Sequence, residues 1–253
     1  MKNSKARVQR TLFYLSLMVI WFGLAKAKLW PPYLFPAPAD VLVTLRQGFQ
    51  DHSFWIGILK SMRRIGLGYS FSAVAGITLG LATARIKWME NTVGSLIIGL
   101  QTLPSICWLP AAILWFGLSE GAIMFVVVMG ALMAISIGTH DAVKNLPPIY
   151  TRAALTMGVK GFRMYREVIF PAALPGIVTG LKQGWSFAWR SLMAGELLFV
   201  SPGLGHLLEM GRDLNDISLV VAVMIVIMAL GWSVDRLIFS ALEQHLRRQR
   251  GMA

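Results

Sequence analysis

Apolar residues fall in six runs along the chain, at about 11–29, 64–84, 93–116, 120–140, 172–195 and 218–240. A bilayer core of roughly 30 Å needs about 20 mostly apolar residues in a helix, and backbone groups in lipid must bond internally. Each run therefore predicts a spanning helix, and the pattern as a whole predicts an all-α membrane protein with about six transmembrane helices. The third and fourth runs nearly merge around Gly117 to Gly121, where Glu120 and the glycines predict a tight turn. Pro104 and Pro110 interrupt the third run and predict a broken or kinked helix there.

Two polar connections are too long to be turns. Segment 30–60 opens with Pro31, Pro32, Pro36 and Pro38, and its stretch 40–59 alternates at helical spacing, which predicts an amphipathic helix on the outer surface. Segment 141–171 carries five basic residues, Pro147, Pro148 and Pro171. Within it, 149–168 predicts two short helices parted near Gly158 to Gly161. A loop of that length inside a helical bundle is usually functional.

Composition supports the same class. Of 253 residues, 56% are hydrophobic and 14% charged, with a mean hydropathy of +0.62. Soluble domains carry about 25% charged residues. The net charge of +12 raises nucleic acid as a partner, but the basic residues sit between apolar blocks instead of forming one face. Their distribution fits membrane orientation. Pieces 1–10, 85–92, 141–171 and 241–253 hold fourteen Lys and Arg, against seven in 26–64 and 196–217. Positive-inside counting therefore predicts a multi-pass membrane protein with both termini cytoplasmic. Lys2, Lys5, Arg7 and Arg10 precede the first run, and Lys26, Lys28 and Trp30-Pro31-Pro32 come directly after it, so it is read as a retained span. The lone Cys107 excludes an internal disulfide framework and predicts a packing residue. His52, His140, His206 and His245 form no ligand spacing, so neither a metal site nor a catalytic constellation is predicted.

The stretch Arg152-Ala153-Ala154-Leu155-Thr156-Met157-Gly158, with Val168-Ile169-Phe170-Pro171-Ala172-Ala173-Leu174-Pro175 after it, resembles the EAA loop of binding-protein-dependent ABC importer permeases. The glycine spacing and the Leu-Pro end are kept, while Arg152 stands where the family has Glu. Ser61 to Tyr69, Gly76 to Leu81, Pro104 to Pro110, Ile113 to Leu118, Ala194-Gly195-Glu196 and Gly203-Leu204-Gly205 are similar to nitrate, sulfonate, taurine and bicarbonate permeases. The resemblance covers about 35–245 and implies a type I ABC importer permease fold. Its core would be 61–245, with coupling loop 141–171, preceded by a span and outer segment (1–60) and followed by a cytoplasmic tail (246–253). It implies a place in a bacterial plasma (inner) membrane, a homodimer, an ATP-binding subunit that binds ATP and Mg, and a periplasmic or lipid-anchored substrate-binding protein. The expected cargo is a small anion, an aliphatic sulfonate or taurine before nitrate or bicarbonate.

The chain has no G-x-x-x-x-G-K-[ST], so it holds no nucleotide by that route and energy must come from a partner or a gradient. A short helix held by prolines and glycines can seat on a partner and pass on its motion. The residues expected to dock the ATPase are Arg152, Ala153, Ala154, Gly158, Gly161 and Pro171; an ordinary connecting loop is the plainer alternative.

Lys182 and Arg190 lie inside the fifth run, where a lipid-facing basic residue costs roughly 2.5–3.5 kcal/mol. With Ser186 and Trp189 they form one helical stripe that suits an anion pathway, and Glu196 is placed at its outer end. Two plainer roles compete: Lys182 snorkels or pairs, and Arg190 meets Glu196. A gradient-driven secondary transporter or a channel is the alternative function. Neither inverted repeats nor a mid-span Asp or Glu is evident for the first, and the second has no need of the 141–171 loop.

Overall fold

Helices in lipid gain little from hiding apolar surface from one another, so close contact between small residues decides how they pack. That requirement organises the computed structural model, which describes residues 2–249 other than 28, 32, 199 and 200. Lys28, Pro32 and residues 250–253 of the expected tail lie outside the described residues.

The helices are α1 (Lys2–Lys26), α2 (Pro38–Gln50), α3 (Ser53–Arg85), α4 (Lys87–Gln101), α5 (Ser105–Phe116), α6 (Glu120–Lys144), α7 (Pro148–Thr156), α8 (Phe170–Leu198), α9 (Leu204–Asp213), α10 (Ile217–Val234) and α11 (Ser240–Gln249). Helix α6 is the hub, packed against α3 on one side and α8 on the other. Glycines make both contacts. A Cβ at Gly76 of α3 would lie 2.9 Å from Ile135, and one at Gly80 would lie 2.5 Å from the Ser136 carbonyl. Between α6 and α8, a Cβ at Gly138 would sit 2.6 Å from the Cα of Gly180, so the two backbones touch. The resulting core holds Ile65, Leu109, Ile123, Val126, Val127, Ile135 and Leu192. A second cluster, Val41, Phe54, Leu204, Leu207, Ala222 and Val223, joins α2, α9 and α10 beside it.

Several expected boundaries move. The outer amphipathic stretch 40–59 does not form one helix: α2 ends at Gln50 and α3 begins at Ser53. At that corner His52 takes a positive φ of 66°. Asp51 accepts from the Ser53 amide at 2.8 Å, and Ser53 hydrogen bonding holds its carboxyl below the usual range. The second span thus starts eleven residues before the expected 64, making α3 a 33-residue helix. Lys60, Arg63 and Arg64, counted as outer-loop charges, lie on its first turns.

Against the six expected spans, four helices among the described residues are long and apolar enough to cross a membrane, and a fifth if a bent pair counts as one. That pair is α4 and α5, which meet at 103° across the break before Pro104, as the prolines predicted. The remaining candidate is the 29-residue α8. It is long enough to span but is not among the helices that meet the same measure of apolarity; Lys182, Gln183, Arg190 and Glu196 lie along it. Cys107, expected to pack, is exposed at the start of α5.

Candidate functional site

Three sets of polar residues lie in or beside the spans. The first surrounds Glu196, which is fully buried. Arg64 Nη1 donates to Glu196 Oε1 at 2.8 Å and to the Pro202 carbonyl at 3.0 Å, and its Nη2 donates to Glu120 Oε1 at 3.0 Å. Ser61 Oγ donates to Glu196 Oε2 at 2.7 Å, and the Gly205 amide donates to the same oxygen at 3.0 Å. Arg64 Nε alone has no acceptor among the described residues. Gly203 and Gly205 are required by space: a Cβ at either would come within 2.6 Å of the Glu196 side chain. The cluster ties α3, α6, α8 and the entry to α9 together. Glu196 therefore does not meet Arg190, and it stands apart from the cavity that Arg190 lines. Buried ion pairs are tolerated only when their remaining donors and acceptors are met, which this one nearly achieves.

The second set is the stripe on α8, which the structure divides in two. Lys182 Nζ lies 3.1 Å from Asp235 Oδ1, just past the end of α10. Trp189 stacks on Trp185 at 6.1 Å and lies against Gly231 of α10. These two residues face the neighbouring helix. The exposed polar positions are Thr179, Gln183, Ser186 and Arg190, spaced at i, i+4, i+7 and i+11, one face of the helix. Residues 182 and 190 differ by about 80° around an α-helix, enough for packing to separate them. Gln183 is not part of the expected stripe; its spacing from Ser186 and Arg190 is the sequence signal for it.

Arg190 opens onto a cavity of about 320 Å³ at the α4–α5 break, lined also by Gln101, Thr102, Ser105, Trp108 and Phe187. Its Nε donates to the Ser186 carbonyl at 3.2 Å, and its guanidinium lies 5.0 Å from the Phe187 ring centroid. Among the described residues no carboxylate lies within ion-pair distance of it. A cation on α8 with no counter-charge among the described residues, facing a cavity whose mostly apolar wall carries Gln101, Thr102 and Ser105, can hold an anion there.

The third set is loop 141–171. Of the two expected short helices, the first is α7, which carries Arg152, Ala153 and Ala154. Gly158 and Gly161 follow with φ of +80° and +62°, and nothing lies within 4 Å of a Cβ built on either. The second short helix does not stand alone. Phe162–Met164 runs through a π-turn at Tyr165–Ile169 directly into α8. Pro171 follows the π-turn by two residues, inside this continuous helix.

Residues 76–248 match the family described as binding-protein-dependent transport system inner membrane component. Formylaminopyrimidine transport permease protein ThiX of Halalkalibacterium halodurans is 30% identical over 206 residues, covering 81% of this chain and 82% of that one. Taurine transport system permease protein TauC of Escherichia coli is 28% identical, covering 81% and 77%. Nitrate import permease protein NrtB of Synechocystis is 29% identical, covering 76% and 70%. In three dimensions the chain resembles one from the MetNI methionine ABC transporter in an inward facing conformation. The TM-score is 0.65 at 19% identity, over 76% of this chain and 97% of that chain.

Proposed function

The chain belongs to the family of binding-protein-dependent transport system inner membrane components and has the type I ABC importer permease fold, and on that premise we propose that it imports a small anion. An aliphatic sulfonate or taurine is favoured, with nitrate and bicarbonate in the same chemical class. The observation that carries this is Arg190, a basic group on the long helix α8 with no carboxylate partner among the described residues and a cavity before it whose mostly apolar wall carries Gln101, Thr102 and Ser105. Two relatives bear the names of taurine and nitrate transporters, and the taurine sulfonate and nitrate are both anionic groups; a third, ThiX, is named for formylaminopyrimidine.

In this reading the chain is a translocation subunit and not an enzyme. ATP and Mg are bound by a separate ATPase that docks on α7 and the following glycines, through Arg152, Ala153, Ala154, Gly158 and Gly161, with Pro171 anchoring the return. A periplasmic or lipid-anchored binding protein delivers the anion from outside, and both termini face the cytoplasm. Two copies form the path: a polar face of Thr179, Gln183, Ser186 and Arg190 is costly against lipid and is met by a second copy and water. Glu196, and Lys182 through Asp235, hold the bundle together, while Ser186 and Arg190 face the path; Trp189 supports them from behind.

The test is ATP-dependent uptake by the transporter purified with its ATPase and reconstituted in vesicles, across a panel of these anions. Replacing Arg190 with Met removes a charge-assisted contact of about 1.5–3 kcal/mol, so uptake is expected to fall roughly tenfold or more at unchanged yield. Uptake and yield falling together would assign Arg190 a structural role. Uptake persisting on a proton gradient without the ATPase would overturn the reading.

Gly158 tests the docking surface. Its left-handed backbone disfavours any other residue by about 1–2 kcal/mol, so Gly158→Leu is expected to reshape the loop while leaving the spans inserted. ATP hydrolysis should continue and anion moved per ATP should drop several-fold. An unchanged ratio counts against docking through this loop.

A further inference from the structure

Where α3 leaves the apolar layer, its last turn and the segment 162–170 enclose a cavity of about 370 Å³. Leu81, Ile86, Ile169 and Phe170 line it with apolar surface, while Arg85 and Arg166 stand at its edge. That volume exceeds the roughly 30 Å³ of one water by an order of magnitude, and so little of the wall is polar that water would bond poorly there. A chain of methylenes would fill it.

The two arginines are available. Among the described residues neither has an ion-pair partner; the nearby Glu167 is taken by Arg163 at 3.1 Å. Arg85 lies with its guanidinium 4.5 Å from the Tyr165 ring centroid, which fixes its position and leaves its N–H groups free to bond outward. The cavity also continues the face of α3 that the bundle leaves uncovered: Leu67, Phe71 and Val74 are exposed at i, i+4 and i+7, leading toward Leu81 and Arg85. Exposed Trp88 lies just beyond, where indoles favour the headgroup layer. Apolar floor, basic edge and interfacial tryptophan therefore succeed one another in the order in which a bilayer changes from hydrocarbon to headgroup.

We propose that this cavity binds one anionic phospholipid, with an acyl segment against Leu81, Ile86, Ile169 and Phe170 and its phosphate between Arg85 and Arg166. The site is independent of the transported substrate and of which way the chain is inserted. Its occupant would bridge the end of α3 and the π-turn that leads into α8, so the headgroup composition of the membrane would bear on the loop.

The test uses the full-length protein with its co-purifying subunits in lipid nanodiscs, and two photoactivatable probes carrying the same acyl diazirine on phosphatidylglycerol or phosphatidylcholine. Each basic group near a headgroup favours an anion about fivefold, so the phosphatidylglycerol probe should label peptides spanning 81–86 and 162–170 on the order of tenfold more. Arg85→Gln with Arg166→Gln should remove that preference without changing labelling elsewhere. Ile169→Trp, which fills the cavity, should suppress labelling by both probes and guards against a double variant that folds poorly. Equal labelling by the two probes would reduce the site to ordinary boundary lipid and overturn the proposal. So would a preference that survives the double substitution, or labelling seen only after the ATPase subunit is stripped away, which would make that protein the occupant.

Discussion

Replacing Glu196 with alanine is expected to destabilise the folded chain by about 3–5 kcal/mol, because it leaves Arg64 buried without its nearest counter-charge. The same substitution orphans the Ser61 hydroxyl and the Gly205 amide, both aimed at the lost carboxylate. Glu120 still reaches Arg64 from the other side, but it is half exposed and cannot take over the buried bonds. Melting temperature and the yield of monodisperse protein in detergent would read the loss. Glu196→Gln keeps the size and most hydrogen bonds and should fall between the two. Pairing Arg64→Met with Glu196→Leu removes both charges at once and should recover much of the stability, since apolar replacement of a whole buried pair is often neutral. If the double variant were worse than either single one, the cluster would be holding the fold by something other than charge balance.

Gly138→Val is expected to be the other severe change. A Cβ there would lie 2.6 Å from the Cα of Gly180, and backbone cannot rotate aside as a side chain does. Overpacking ordinarily costs about 1–3 kcal/mol, and a backbone contact belongs at the upper end. The α6–α8 contact should open, with broadened size-exclusion peaks and a lowered melting point. Gly66→Val on α3 is the matched control, because nothing lies within 4 Å of its Cβ; it should behave as the parent. Equal losses in both would point to helix propensity and away from packing.

These two sites differ in how far the sequence disclosed them. Small residues at intervals of three and four along α3, α6 and α8 are visible in a single chain, although which glycine meets which is not. The Arg64–Glu196 pair was hidden. Its members lie 132 positions apart, and Arg64 reads locally as one more basic residue beside Arg63 at the edge of an apolar run. Lys182 was legible as a group needing a partner. Asp235 went unmatched because it sits in a π-turn at the end of an apolar run, where it resembles a boundary charge. Prolines fixed the α4–α5 break because they act on the backbone next to them, a local effect that a local pattern can express. On α8 the exposed polar face, Thr179, Gln183, Ser186 and Arg190, is turned by part of a turn from the stripe of Lys182, Ser186, Trp189 and Arg190. Only the packing of α10 against Trp189 and Lys182 decides that phase.

The uninterrupted path from the π-turn at Tyr165–Ile169 into α8 has a mechanical consequence. From Phe170 to Arg190 the helix extends about 30 Å, so a pivot of about 10° at the π-turn sweeps the guanidinium sideways by roughly 5 Å. A π-turn holds one residue more per hydrogen-bonded ring than an α-turn and is the softer place to bend. The arm beyond it is pinned along its length by Gly138–Gly180 and by Lys182–Asp235. Whatever tilts it must shear those two contacts together, so the distance Arg190 travels is set by how far small residues can slide past one another.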